Sequence, residues 1–203
     1  CLLSRGLGDV YKRQINESDL KQIKKKLKIP LNLEIAATNE MLKIALKSKP
    51  PFICIVPEKR KEITTEGGLN LNYNKKFLEI IIGKLKKKKI RVSLFIEPSI
   101  KDIYRSKNLN ADCVEIHTGK LCNLINKKKK YKHELNKIKK AVKLGNKLGL
   151  EVHAGHGLTF NSSKILLQIK GVQEFNIGHF LIGEAIFIGL ANTIKKFKKI
   201  LQS

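Results

Sequence analysis

The chain has 203 residues, 42% hydrophobic and 29% charged, an ordinary globular composition with length enough for one domain and a sizeable core. Lys and Arg number 42 against 17 Asp and Glu, a formal net charge of +25 that would suit nucleic acid or an anionic membrane surface. No apolar run approaches a membrane span, the N-terminus lacks the apolar centre of a signal peptide, and none of the four cysteines stands in a C-x-x-C pair, which argues against a membrane partner, secretion and a disulfide framework.

The charge has a plain explanation. Lys24 to Lys26, Lys86 to Lys89, Lys127 to Lys130 and Lys195-Lys196 fall within helix-like segments as their outer faces, not as one tail. Aromatic residues are few and do not interleave with these runs, which weighs against a single-strand stacking platform. No nucleic-acid partner is expected, and the free cysteines point to a reducing cytoplasm.

Residues 1–14 lack an initiator Met and the Lys/Ile/Asn-rich character that begins at Ile15. They are expected to be a non-native leader, leaving 15–203 as the domain. Asn16 and Asp19 suit the start of a helix carrying Leu20, Ile23 and Leu27. A strand over 31–36 follows, then a helix capped by Thr38. Phe52 to Val56 is a continuous apolar strand of the kind buried in parallel sheets. The loop from Pro57 to Gly68 is long, polar and glycine-ended, which favours a functional loop. Asn74 opens a helix with Phe77, Ile81 and Leu85 on one face.

Arg91 to Ile96 is the next strand, with a short helix after Ser99. In the strand 112–119, alternation places Cys113, Glu115 and His117 on one face and Val114 and Ile116 on the other. A longer helix uses Leu135, Ile138, Val142 and Leu148 and ends at Gly149. The strand Glu151 to Gly155 leads into His156-Gly157, a helix covers 162–170, and a strand ends in Asn176-Ile177-Gly178-His179. The last helix is expected to use Ile186, Leu190, Ile194, Phe197 and Leu201. Six strands alternating with helices imply a parallel sheet, and polar residues at the strand C-termini favour a (β/α)8 barrel, incomplete here with six of eight units.

Glu34 and Glu115 are carboxylates in apolar strands, where burial raises the pKa and suits a base near neutral pH. Pairing with a basic residue for packing is the plainer alternative for each. His156, between two glycines at a strand end, is the strongest acid–base candidate, and His179 follows by the same pattern. His153 and His156 lie three apart and are expected on opposite faces, so no metal is expected. Gly157, Gly178, His179 and a helix start at Gly183 would form the usual barrel phosphate site. Thr64, Thr65, Gly67 and Gly68 offer a second set of donors. Two anion sites imply two phosphorylated small molecules, or one carrying two phosphates.

The segments Asn32-Leu33-Glu34, Val56 to Arg60, Thr64 to Gly68, Val92 to Ile96, Glu115 to Gly119, Ala154 to Leu158 and Asn176 to His179 together resemble the pyridoxine 5′-phosphate synthase family, in order and with similar spacing from about Ile15 to the C-terminus. The resemblance implies a homo-octameric barrel that condenses 3-amino-2-oxopropyl phosphate with 1-deoxy-D-xylulose 5-phosphate, with no metal or organic cofactor. It implies Glu34 as general base, Glu115 as the group that stabilises charged intermediates and His156 as proton donor. Thr64 would bind the deoxyxylulose phosphate, and Gly157, Gly178 and His179 the aminoketone phosphate. It also implies two further strands before Ile15, with an Asn-x-Asp-His motif and a second basic histidine. On that ground the 203-residue chain is expected to be inactive or nearly so. Another phosphate-using barrel lyase or isomerase is the alternative, and a basic nucleic-acid-binding protein a more distant one.

Overall fold

In a computed structural model the protein is described at residues 15–57, 67–73 and 75–202. Two periodicities build it. Along the strands, Leu33, Ile35, Ile53, Ile55, Val92, Leu94, Ile96, Val114, Ile116 and Val152 share one parity and pack in the main core, so one sheet face is apolar and covered by helices. The strands are β1 (Asn32–Ala36), β2 (Phe52–Val56), β3 (Arg91–Ile96), β4 (Cys113–His117), β5 (Glu151–Gly155) and β6 (Glu174–Asn176). They pair in sequence order, all parallel, as six consecutive staves of a barrel. Among the described residues, β1 and β6 each keep one unpaired edge.

The helices are α1 (Glu17–Lys26), α2 (Asn39–Ser48), α3 (Lys75–Lys87), α4 (Ile100–Asn108), α5 (Gly119–Asn126), α6 (Lys132–Lys147), α7 (Phe160–Leu166), α8 (His179–Ile188) and α9 (Leu190–Leu201). Their starts follow from local chemistry. Asn16 and Asp19 form a capping box on α1, and the Met41 N–H donates to Thr38 Oγ1 at 3.1 Å at the start of α2. No helix among the described residues is long and apolar enough to cross a membrane.

The opposite face of the sheet forms rows. Glu34, Cys54, Ser93, Cys113 and Glu151 are in register across β1 to β5. Phe95, Glu115, His153 and Glu174 make the next row, and His117, Gly155 and Asn176 the row at the strand C-termini. This interior is polar where the helix-facing side is aliphatic.

Three sequence expectations change. Helix α5 begins directly after β4 and was not expected. The helix expected last is two helices, because Gly189 sits at φ 80°, ψ 149°, where only glycine is comfortable. The face expected from Ile186, Leu190 and Ile194 points to solvent, at 79%, 50% and 38% exposure, while Thr193, Phe197 and Ile200 are buried. Phe197 packs against Phe160, ring centroids 4.5 Å apart. The loop expected between Glu58 and Glu66, and Asn74, lie outside the described residues.

Candidate active site

Glu115 lies on the barrel-interior face of β4 and is only 4% exposed. Burial pushes its carboxyl up to about 7, with the nearby charge of Glu34 adding to the rise. The Asn176 side-chain amide opposes the shift by donating to Glu115 Oε2 at 2.6 Å, and the Cys54 thiol lies 3.6 Å from the same oxygen. Gly155 supplies the space for this carboxylate. A Cβ at Gly155 would press directly on Glu115 Oε1 and lie 2.8 Å from its Cδ. A glycine inside a strand often marks such a close approach, and here it does.

At the next row His117 is buried, with Nδ1 3.2 Å from Glu97 Oε1. The Gly68 N–H donates to that same oxygen at 2.6 Å. His156 follows the end of β5 and has φ 72°, a left-handed conformation uncommon for a non-glycine residue. That turn swings its imidazole against His117, ring centroids 4.7 Å apart. Alternation therefore does not carry across from His153 to His156. His153 meets Glu151, Nε2 to Oε1 2.8 Å, further down the interior, while His156 meets His117 at the rim.

Thr118 fixes this turn. Its Oγ1 reaches the Gly155 and His156 carbonyl oxygens, each at 2.8 Å, and its N–H donates to Gly155 O at 2.8 Å. His156 is exposed, yet its pKa lies below 6.5, chiefly through desolvation, then through His117 and His179, with Glu97 opposing. Its imidazolium therefore gives up a proton more readily than that of an ordinary histidine.

The anion-holding candidates lie beside it. Gly157 has φ 78° and packs closely on α5, where a Cβ at Gly157 would lie 3.4 Å from Gly119 Cα. Gly178 caps α8 with no side-chain hydrogen bond, and a Cβ there would meet nothing within 4 Å. His179 is the first residue of α8, exposed at the same end. Backbone N–H groups of an uncapped helix start suit an anion. Gly183, expected at a helix start, instead lies one turn inside α8.

Glu34 does not match its expectation of burial. It is exposed, because β1 is an edge strand and no neighbouring stave covers it among the described residues. It still shares the interior row of Cys54, and its charge reaches Glu115. Thr64 lies outside the described residues. Asn176, Thr118, Glu97 and Gly155 were not singled out from the sequence. Their roles come from neighbours brought across strands, although Asn176, Thr118 and Gly155 sat within segments already noted.

From the start to the middle of β4 and β5, Cys113, Glu151 and His153 place potential metal ligands within 4.8 Å of one another. Arg91 already forms an ion pair with Glu151, and burial pushes the Cys113 thiol up to about 12.

Parallel β/α staves with acid–base side chains and glycines gathered at one rim define a barrel-type enzyme of small-molecule chemistry. Solved structures share the fold. The tryptophan synthase α-subunit of Pyrococcus furiosus superposes with a TM-score of 0.59 at 16% identity, over 92% of this chain and 72% of that one. A chain described as "Native KDPGal structure" gives 0.57 at 10% identity, over 92% and 76%. In sequence, a protein of Pelagibacter ubique named pyridoxine 5′-phosphate synthase is 58% identical over 189 residues, covering 93% of this chain and 79% of its own length. A Zymomonas mobilis protein of the same name is 47% identical over 192 residues, covering 95% and 74%. Residues 10–203 match the family described as pyridoxal phosphate biosynthesis protein PdxJ, and the chain belongs to that family.

Proposed function

We propose that the chain is a pyridoxine 5′-phosphate synthase of vitamin B6 synthesis, joining 3-amino-2-oxopropyl phosphate to 1-deoxy-D-xylulose 5-phosphate. The observation that carries the reading is the buried Glu115 carboxyl, brought up to about 7 and held by Asn176, beside the His117–His156 pair at the same rim. Condensation, dehydration and ring closure need protons moved in stages. Glu34 serves as general base, Glu115 stabilises positive charge on the intermediates, and His156 donates protons. Gly157, Gly178 and His179 hold the phosphate of the aminoketone, and Thr64 that of the deoxyxylulose. Fixing both phosphates turns a bimolecular encounter into a positioned one.

The test is product formation by the complete gene product supplied with both substrates. Pyridoxine 5′-phosphate should accumulate with release of inorganic phosphate, and Glu115→Gln or His156→Asn should remove most of it. No product above those variants would refute the reading. The 203-residue chain alone is expected to turn over little, since no neighbouring strand covers Glu34 among the described residues. Turnover equal to that of the complete product would contradict this.

The proposed setting is the cytoplasm, in line with free thiols at Cys54, Cys113 and Cys122. We further propose the homo-octameric assembly that the family resemblance implies. Ile182, Ile186, Phe187 and Leu190, all at least half exposed, supply apolar surface for such contacts. Light scattering of the complete product should give eight chains per particle, and a monomer would overturn that part.

A further inference from the structure

We infer that His117 is a positioning residue for His156, setting both the orientation of its ring and its protonation. The inference rests on the assignment of His156 as proton donor.

His117 is buried on the interior face of β4 and has no part in the proposed steps. Its ring is fixed on every side. Glu97 faces Nδ1 at 3.2 Å, and that carboxylate is itself tied by the Gly68 N–H at 2.6 Å. Phe95 meets the ring edge-on, centroids 5.2 Å apart. A Cβ at Gly67 would come within 3.0 Å of Cε1, and one at Gly119 within 2.8 Å of Nε2. Only glycine at both places leaves room for the ring. The same Cβ at Gly119 would stand 2.7 Å from His156 Cδ2, so one glycine admits both imidazoles.

His156 stands in a left-handed conformation and rests its ring on this fixed one at 4.7 Å. Two imidazoles at that spacing do not both carry charge easily in a partly desolvated site. Positive charge beside His156 on this side therefore disfavours a proton on it, in addition to the larger effect of desolvation. The charged groups facing His156 among the described residues come from three elements: His117 on β4, Glu97 just after β3 and His179 at the start of α8. His117 and His179 favour release of the proton, and Glu97 opposes it. His117 is the one of these that touches the His156 ring, so it governs placement and charge together.

The test is a proton NMR titration of the histidine ring resonances in the 203-residue chain, with His156→Asn used to assign the His156 signal. Two variants remove the charge in different ways: His117→Gln keeps a polar partner for Glu97, and His117→Phe keeps an aromatic ring. The His156 midpoint should rise in both. A midpoint unchanged in a variant that keeps the wild-type circular dichroism spectrum would overturn the inference. Should one variant fail to fold, the other decides. In the complete gene product, His117→Gln should extend the alkaline limb of the pH–rate profile with KM unchanged. Loss of activity at every pH without movement of that limb would mark a merely structural role and also overturn it. The titration uses no substrate, so failure of the proposed reaction and failure of this coupling are read separately.

Discussion

Gly155→Ala tests the packing of the site directly. Gly155 has ordinary backbone angles, so alanine meets no conformational penalty and the effect comes from contact alone. The new Cβ would lie 2.8 Å from Glu115 Cδ and 3.2 Å from Asn176 Cβ. Unstrained carbons sit about 3.5–4.0 Å apart, so the carboxylate must retreat by about 1 Å. That stretches the 2.6 Å Asn176–Glu115 hydrogen bond to about 3.6 Å, which is no longer a bond. Overpacking costs about 1–3 kcal/mol, and a lost bond to a charged group about 1.5–3 kcal/mol. The two overlap, and we expect a net loss of about 2–4 kcal/mol. With a urea m-value of about 2 kcal/mol/M, the unfolding midpoint should fall by about 1–2 M. The decisive assay is a double-mutant cycle. In a Glu115→Ala background the clash with the carboxylate is gone and only the 3.2 Å approach to Asn176 Cβ remains, so Gly155→Ala should cost less than about 1 kcal/mol. An undiminished cost there would refute the contact and with it the role given to Gly155.

The same carboxylate predicts a pH effect. Its folded value of about 7 lies above an ordinary value of 4.5, so the folded state holds the proton more tightly. Stability from this group is greatest below 4.5 and falls as pH rises to about 7, by on the order of 3 kcal/mol. Glu115→Gln should flatten that slope in urea midpoints taken across the window, and an unchanged slope would contradict the burial argument. Gly189→Ala should destabilise by about 1–3 kcal/mol because φ there is 80°, whereas Gly183→Ala, inside α8 with open space around its Cα, should stabilise by about 0.5–1 kcal/mol. Equal midpoints for the two variants would show that the α8–α9 break is misread. Duplex DNA should bind the +25 chain only at low salt and be released by about 0.15 M, as scattered lysines predict. Retention at that salt would revive a nucleic-acid role.

The fold was legible in the sequence where a two-residue period met a clean polarity difference. Glu115 and His117 were assigned to one face of β4 and Val114 and Ile116 to the other, and the sheet register agrees. Helix starts were legible at Asn16 and Thr38, since capping is local chemistry. What the sequence hid depends on distant neighbours. Burial of Glu34 fails because β1 is an edge, which no pattern within Asn32 to Ala36 reveals. The Asn176–Glu115 bond joins residues 61 apart, and Thr118 grips a turn 37 residues on. His156 breaks the alternation that placed it opposite His153, through a single left-handed residue. In the last two helices, hydrophobic spacing picked out the buried Phe197 but also Ile186, Leu190 and Ile194, which are apolar yet exposed.

The most direct check on the location of the site is amide chemical-shift mapping of the 203-residue chain with pyridoxine 5′-phosphate. The largest changes should fall at Glu115, His156, Gly157, Gly178 and His179, together at the C-terminal rim of the strands. Changes centred instead on Cys113 and Glu151 at the other end, or on the outer helices, would contradict that placement.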